Sequence, residues 1–182
     1  MPLADNMNFG YRMGAGFPGE VTRMTPAAII EPCATDPTTP PLFVGQVVTI
    51  DATSGCARPI ALATEVAYGI VVRSFPTQAP NATGYYGAAG FGSVSPWLTT
   101  GQPQNAVDVL RQGYINVNVN GATRKGGPVF VWTAATAAPH VQGGLEAATP
   151  GANGFQLPAS CTYQGAADAN GVTEIAFNIG LS

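Results

Sequence analysis

VLRQGYINVNVNGATRKGGPVFVWT, residues 109–133, is the stretch whose reading decides the fold class. Ile115, Val117 and Val119 alternate with Asn116, Asn118 and Asn120. A period of two puts three β-branched side chains on one face of an extended chain and three amides on the other, the pattern of a half-buried strand. Asn120-Gly121 then supplies the turn chemistry that reverses a chain. Gly126-Gly127-Pro128 opens a second apolar run, Val129-Phe130-Val131-Trp132, with proline at the strand entry, where its missing N–H costs least. The expectation is a β-hairpin, or a hairpin with a longer loop, with Val117 and Val131 facing the core.

Composition extends that reading to the whole chain. Of 182 residues only 9% are charged, while there are 23 glycines and 16 prolines. Such a chain suits short strands joined by turns and irregular loops. It lacks the Leu, Glu, Lys and Arg that long amphipathic helices need. An all-β domain follows, either a small β-barrel or a jelly-roll-like sandwich. So little charge also points to a surface covered by partners, because a free monomer keeps its solubility with a charged, mixed exterior. The net charge of −3 offers no basic stripe for nucleic acid.

Residues 1–41 show little periodicity. Phe9, Tyr11, Arg12, Phe17 and Arg23 stand among glycines and prolines, so neither a helix nor a central strand is expected there. The aromatics and methionines separate the segment from a disordered tail. It reads as an extended N-terminal arm that orders either on a partner or on its own domain. Residues 42–182 form the β domain. Its expected strands are residues 43–50, with Gly45 as a bulge or turn and residues 51–55 as the turn beyond; then 60–63, 67–75, the two runs of the opening stretch, 154–157, 161–163 and 173–181. Within residues 67–75 the run Ile70-Val71-Val72 is apolar on both faces and so central. Residues 76–106 interrupt the domain as a long Gly/Pro-rich loop carrying Tyr85, Tyr86, Phe91 and Trp97. Such anchors suit a protein–protein contact, or a loop folded over the end of its own domain.

A search for reactive chemistry finds none. Gly14-Ala15-Gly16-Phe17-Pro18-Gly19 matches G-x-G-x-x-G, but no strand precedes it and Pro18 breaks the helix that dinucleotide binding requires. His140, the sole histidine, has no donors at zinc-ligand spacing and no nucleophile signature to serve, and reads as an exposed loop residue. Asp51, Glu65, Asp108, Glu146 and Glu174 stand singly. Cys33, Cys56 and Cys161, widely spaced and odd in number, read as reduced packing thiols of a cytoplasmic product. The beginning MPLADNMNFG has neither a basic nor an apolar region, and no run of eighteen apolar residues occurs, so neither a signal peptide nor a membrane span is expected. No enzyme, metal or cofactor is anticipated.

The order of features, an arm MNFGYRMGAGFPGEVTRM, then GQVVTI, YGIVVRSFP, GYINVNV, KGGPVFVW and a terminal TEIAFNIGL, resembles the head decoration or cement proteins of tailed bacteriophages. The resemblance implies a structural virion protein, made in the host cytoplasm, that docks on the capsid exterior. Its partners would be the major capsid protein and further copies of itself, as a dimer or trimer, with neither nucleic acid nor membrane. The contact residues would be Phe9, Tyr11, Arg12, Phe17, Arg23, Tyr85, Tyr86, Phe91 and Trp97. An alternative from another class is a carbohydrate- or host-surface-binding β module of a virion, with the loop aromatics as its platform. A third is a small hydrolase whose carboxylates pair only in space.

Overall fold

The computed structural model describes residues 16–23, 28–73 and 106–180. Eleven strands form one mixed sheet: β1 (Val21–Arg23), β2 (Ile29–Ala34), β3 (Val47–Ile50), β4 (Ala57–Pro59), β5 (Gly69–Val71), β6 (Ala106–Asn120), β7 (Phe130–Trp132), β8 (Leu145–Glu146), β9 (Gly154–Gln156), β10 (Thr162–Tyr163) and β11 (Val172–Asn178). The all-β expectation holds, and the sheet is not closed into a barrel, which leaves the jelly-roll-like description.

The fifteen-residue β6 is the spine. Along one edge it pairs with β2, from Ala106 to Gln112, then with β1 at Tyr114 and Ile115, and with β8, in parallel, at Val119 and Asn120. Along the other it meets β5 at Val109 and Leu110 and β11 from Gln112 to Asn118. β3 and β4 extend the sheet beyond β5, β7 and β9 extend it beyond β8, and β10 flanks β11. The main core draws Val47, Ile70, Leu110, Ile115, Val117, Val131, Leu145, Tyr163, Ile175 and Phe177 into one cluster. Side chains from β3 and β7, far apart in strand order, meet there because the sheet curls over itself. A second cluster, Val48, Ala57, Val71, Val107 and Val109, covers the opposite face of β3, β5 and β6. Ile70 and Val72 thus enter one core and Val71 the other, the two-sided burial expected of that run.

The opening stretch needs one correction. Val117 and Val131 are fully buried as expected, but β6 and β7 are not hydrogen-bonded neighbours. After Gly121 (φ +103°) the chain carries Pro128 across to bridge Thr162, and β8 fills the place between the two strands. Local turn chemistry was legible. The strand that closes the gap comes from residues 145–146, and no local pattern announces a two-residue parallel strand. Three strands lie where none was expected, β1, β2 and β8. β2 runs through Pro32, which is tolerated because β2 pairs on one side only among the described residues. The strand expected at residues 60–63 lies at Ala57–Pro59, with Ile60 buried just beyond its end.

A bulge in β6 sets the two faces. Val107 and Val109 belong to the second cluster and Leu110 to the main one, yet beyond Gly113 it is Ile115, Val117 and Val119 that enter the main core. Opposite them, Ile29 and Ile30 of β2 pair with Gln112 and Leu110, so Arg111 is the extra residue. One inserted residue exchanges the two faces of everything that follows. Gly113 sits at φ +145°, and a Cβ there would lie 3.2 Å from Leu110 Cδ1, so glycine suits the bend. Tyr114, Asn116 and Asn118 consequently share a face with Arg111 and the second cluster.

Candidate functional site

That face carries three arginines, each laid on an aromatic ring. Arg111 sits 3.7 Å from the centroid of Tyr68, and its Nη1 is 3.2 Å from Glu31 Oε2 on β2, an oxygen that also accepts the Tyr68 hydroxyl. The Tyr68 hydrogen bond, joined by Arg111, holds the Glu31 carboxyl below its ordinary value. The same bond raises the Tyr68 phenol. One bulge thus lets β6 tie together β2 and β5, strands on its two opposite edges.

Arg23 of β1 lies 4.2 Å over Tyr114 of β6 and grips Glu174 of β11 through both Nε (3.0 Å to Oε1) and Nη2; the Thr22 hydroxyl donates to the same carboxylate. This is the planar two-pronged pairing for which arginine is suited. Arg73, two residues after Val71 in the second cluster, stands 5.1 Å over Phe17. Its amide donates to the Gly19 carbonyl at 2.8 Å. Among the described residues Arg73 makes no ion pair. Phe17 is 50% exposed at the start of a turn, residues 16–19, that lies over Asn116. Gly19 (φ +80°) allows the close approach, since a Cβ there would fall 2.7 Å from Val44 Cβ and 2.9 Å from the Arg73 amide. The described part of the G-x-G-x-x-G string, residues 16–19, therefore makes a turn that leads into β1, not into a helix.

Two of the nine contact residues expected from sequence, Phe17 and Arg23, fall on this face. Phe9, Tyr11, Arg12, Tyr85, Tyr86, Phe91 and Trp97 lie outside the described residues. Sequence reasoning missed Arg73, Arg111, Tyr68 and Tyr114. Their partners come from strands remote in the chain, and the only local trace is an arginine at alternating spacing just past an apolar run.

Elsewhere polar groups organise loops. Arg58 bridges Glu65 (Nη2 to Oε1, 2.6 Å) and Asp51 (Nε to Oδ2, 3.4 Å), while Glu65 also accepts the amides of Ala61 (2.8 Å) and Leu62 (3.3 Å). Burial pushes the Glu65 carboxyl up, but Arg58 and the two amides outweigh it and hold the group below its ordinary value. Two carboxylates expected to stand singly do meet, with a guanidinium between them. Both are kept ionised, which is the opposite of what a general acid needs. The loop so fixed displays Leu62 and Val66, the latter 81% exposed.

His140 corrects another expectation. It is half-buried, stacked on Trp132 with centroids 4.1 Å apart, and its Nδ1 is 2.9 Å from Oε1 of the buried Glu146. Asn120 Nδ2 donates to the other carboxylate oxygen at 2.8 Å. A carboxylate that only accepts places the proton on Nδ1, so the ring acts as a fixed donor at the end of β6 and β8. The three cysteines are free, and burial raises the thiols of Cys33 and Cys161, which lowers their thiolate fraction.

The fold is shared with a chain from the capsid of Myoviridae Phage XM1, at a TM-score of 0.66 and 21% identity, covering 98% of this chain and 100% of that one. No curated protein matches. The family described as structural cement protein (E217 gp24/Pam3 gp6) matches residues 6–178, nearly the whole chain. A sheet built on a bulged spine, with arginines seated on aromatic rings and its described carboxylate pairs locked to cations, is thus matched by a structural family, and the chain belongs to the structural cement proteins of phage capsids.

Proposed function

We propose that the protein binds the outside of a phage capsid as a homo-oligomer, a dimer or trimer, and ties neighbouring major capsid proteins together without turning over any substrate. The family match over residues 6–178 carries this reading. It does not favour the carbohydrate-binding alternative. The physical means is multivalent clamping, in which linked contacts raise avidity by about 10²–10⁴ over each contact alone. The arm, residues 1–41, and the loop, residues 76–106, supply contacts beyond the β domain, through Phe9, Tyr11, Arg12, Phe17 and Arg23 on the one hand and Tyr85, Tyr86, Phe91 and Trp97 on the other. Pairing of β1 and β2 with β6 supports the arm at its root. Expression in the bacterial cytoplasm suits the free thiols.

The test is particle stability. Particles lacking the protein, heated with a DNA-binding dye, are expected to release DNA at a lower temperature than complete ones, and adding the purified protein should restore it. A Trp97→Ala protein at full occupancy should restore it incompletely, since truncating a buried aromatic anchor commonly costs about 2 kcal/mol or more per contact. Equal release temperature and equal infectivity without the protein would end the cementing reading.

A further inference from the structure

We propose that the face bearing the three arginine–aromatic pairs is turned toward the shell, and that the Phe17–Arg73 pair receives a carboxylate of the major capsid protein. This rests on the cementing reading above and specifies which side of the fold performs it.

Three observations carry it. Arginine and aromatic residues concentrate at the centres of protein interfaces, and here Arg23, Arg73 and Arg111 each lie on a ring on one face of the sheet. The charges on that face are unevenly met. Arg23 has Glu174 and Arg111 has Glu31, whereas Arg73 has no carboxylate within ion-pair distance among the described residues. Glu20, next to Gly19, accepts the Phe17 amide at 3.2 Å.

A second copy placed face to face would therefore meet Arg73 with carboxylates already engaged, at the cost of their bonds. A different protein bringing its own carboxylate meets no such conflict. That favours the shell over self-association as the occupant of this face.

The chain outside the described residues points the same way. Residues 1–15 join the fold at Gly16, and residues 74–105 depart after Arg73, whose amide is bonded to the Gly19 carbonyl. The two segments that hold Phe9, Tyr11, Tyr85, Tyr86, Phe91 and Trp97 thus start beside Phe17 and Arg73. A contact centred there is one that both can extend.

The experiment measures binding of the full-length protein to particles lacking it, for wild type, Arg73→Glu, Arg73→Gln and Arg124→Glu. Arg124 is exposed on the connection after β6 and carries the same charge change away from the face. Arg73→Glu should bind about thirtyfold more weakly, the loss of one interface hot spot, with Arg73→Gln in the same direction and Arg124→Glu near wild type. Thermal melts establish that each variant is folded, and Arg73→Gln, which keeps the side chain's bulk, serves if the reversal misfolds. Wild-type protein that fails to bind particles would sink the cementing reading itself. Wild-type binding with both Arg73 variants equally tight would leave that reading standing and overturn this one. So would Arg73 variants that change the solution oligomer, measured by light scattering, while binding particles normally, because the face would then join copies of the chain.

Discussion

Replacing Val117 by aspartate tests the central strand most directly, and comparing it with aspartate at Asn116 and Asn118 tests the faces. Val117 is fully buried in the main core. Losing its burial forfeits about 1.5–3 kcal/mol. The new carboxylate would find no donor to spare: directly across on β11 stands Thr173, whose hydroxyl already donates to the Gly165 carbonyl. It would escape by taking up a proton, a displacement of about three pKa units at roughly 1.4 kcal/mol each. The total, about 6 kcal/mol, reaches the range of a whole domain's stability, about 5–15 kcal/mol. In a urea melt with a slope of about 2 kcal/mol per molar, the midpoint should fall by about 3 M.

Asn118 is exposed, and Asn118→Asp should change stability by less than about 0.5 kcal/mol. Asn116 separates sequence from structure. Strand alternation makes it equivalent to Asn118, but the turn of residues 16–19 leaves it 1% exposed, and a Cβ on Gly16 would crowd both its Nδ2 and Glu20 Oε2. Asn116→Asp should set two carboxylates together and cost about 1–3 kcal/mol. Equal midpoints for Asn116→Asp and Asn118→Asp would refute the placement of the turn. A silent Val117→Asp would refute the register of β6.

Glu65→Ala should free the loop of residues 61–66, leaving Arg58 with Asp51 alone, at a loss of about 1–3 kcal/mol at neutral pH by thermal or urea melting. Because the folded Glu65 pKa lies below its ordinary 4.5, the stabilisation is present above that value and fades as the pH falls through the folded pKa. The gap between wild type and variant should therefore close in acid, and a gap that widens would contradict the assignment. His140→Ala should leave Glu146 Oε1 without its donor and uncover Trp132, costing about 1–3 kcal/mol. In a Trp97→Phe background, where Trp132 is the only tryptophan, its emission should move to the red; unchanged emission and melting would mean that the stack and the hydrogen bond contribute nothing.

Much of this protein can be read along the chain because the information is local. Alternation at Ile115, Val117 and Val119 and at Ile175 and Phe177 comes from the two-residue period of an extended chain, and all five side chains are buried. The two-sided burial of Ile70 and Val71 and the turns at Gly45 and Gly121 follow from residue type and immediate neighbours in the same way. Other features depend on which strands meet. A two-residue strand such as β8 has too few residues to carry a period, and it exists because β6 and β7 present edges for it to fill.

The same holds for His140 and for the arginine-bearing face. His140 becomes a fixed donor only when Trp132 and Glu146, eight residues before it and six after, are folded around it. Arg73 sits on Phe17 from across 56 positions of chain, and Arg23 and Glu174 join strands on opposite edges of β6. By itself the sequence determined an all-β, charge-poor chain, since composition and short-range periodicity set those properties before folding. The tertiary structure alone decided which face gathers the arginines, because a one-residue bulge at Arg111 exchanges the faces of β6, and its register is set by pairing with β2 and β11.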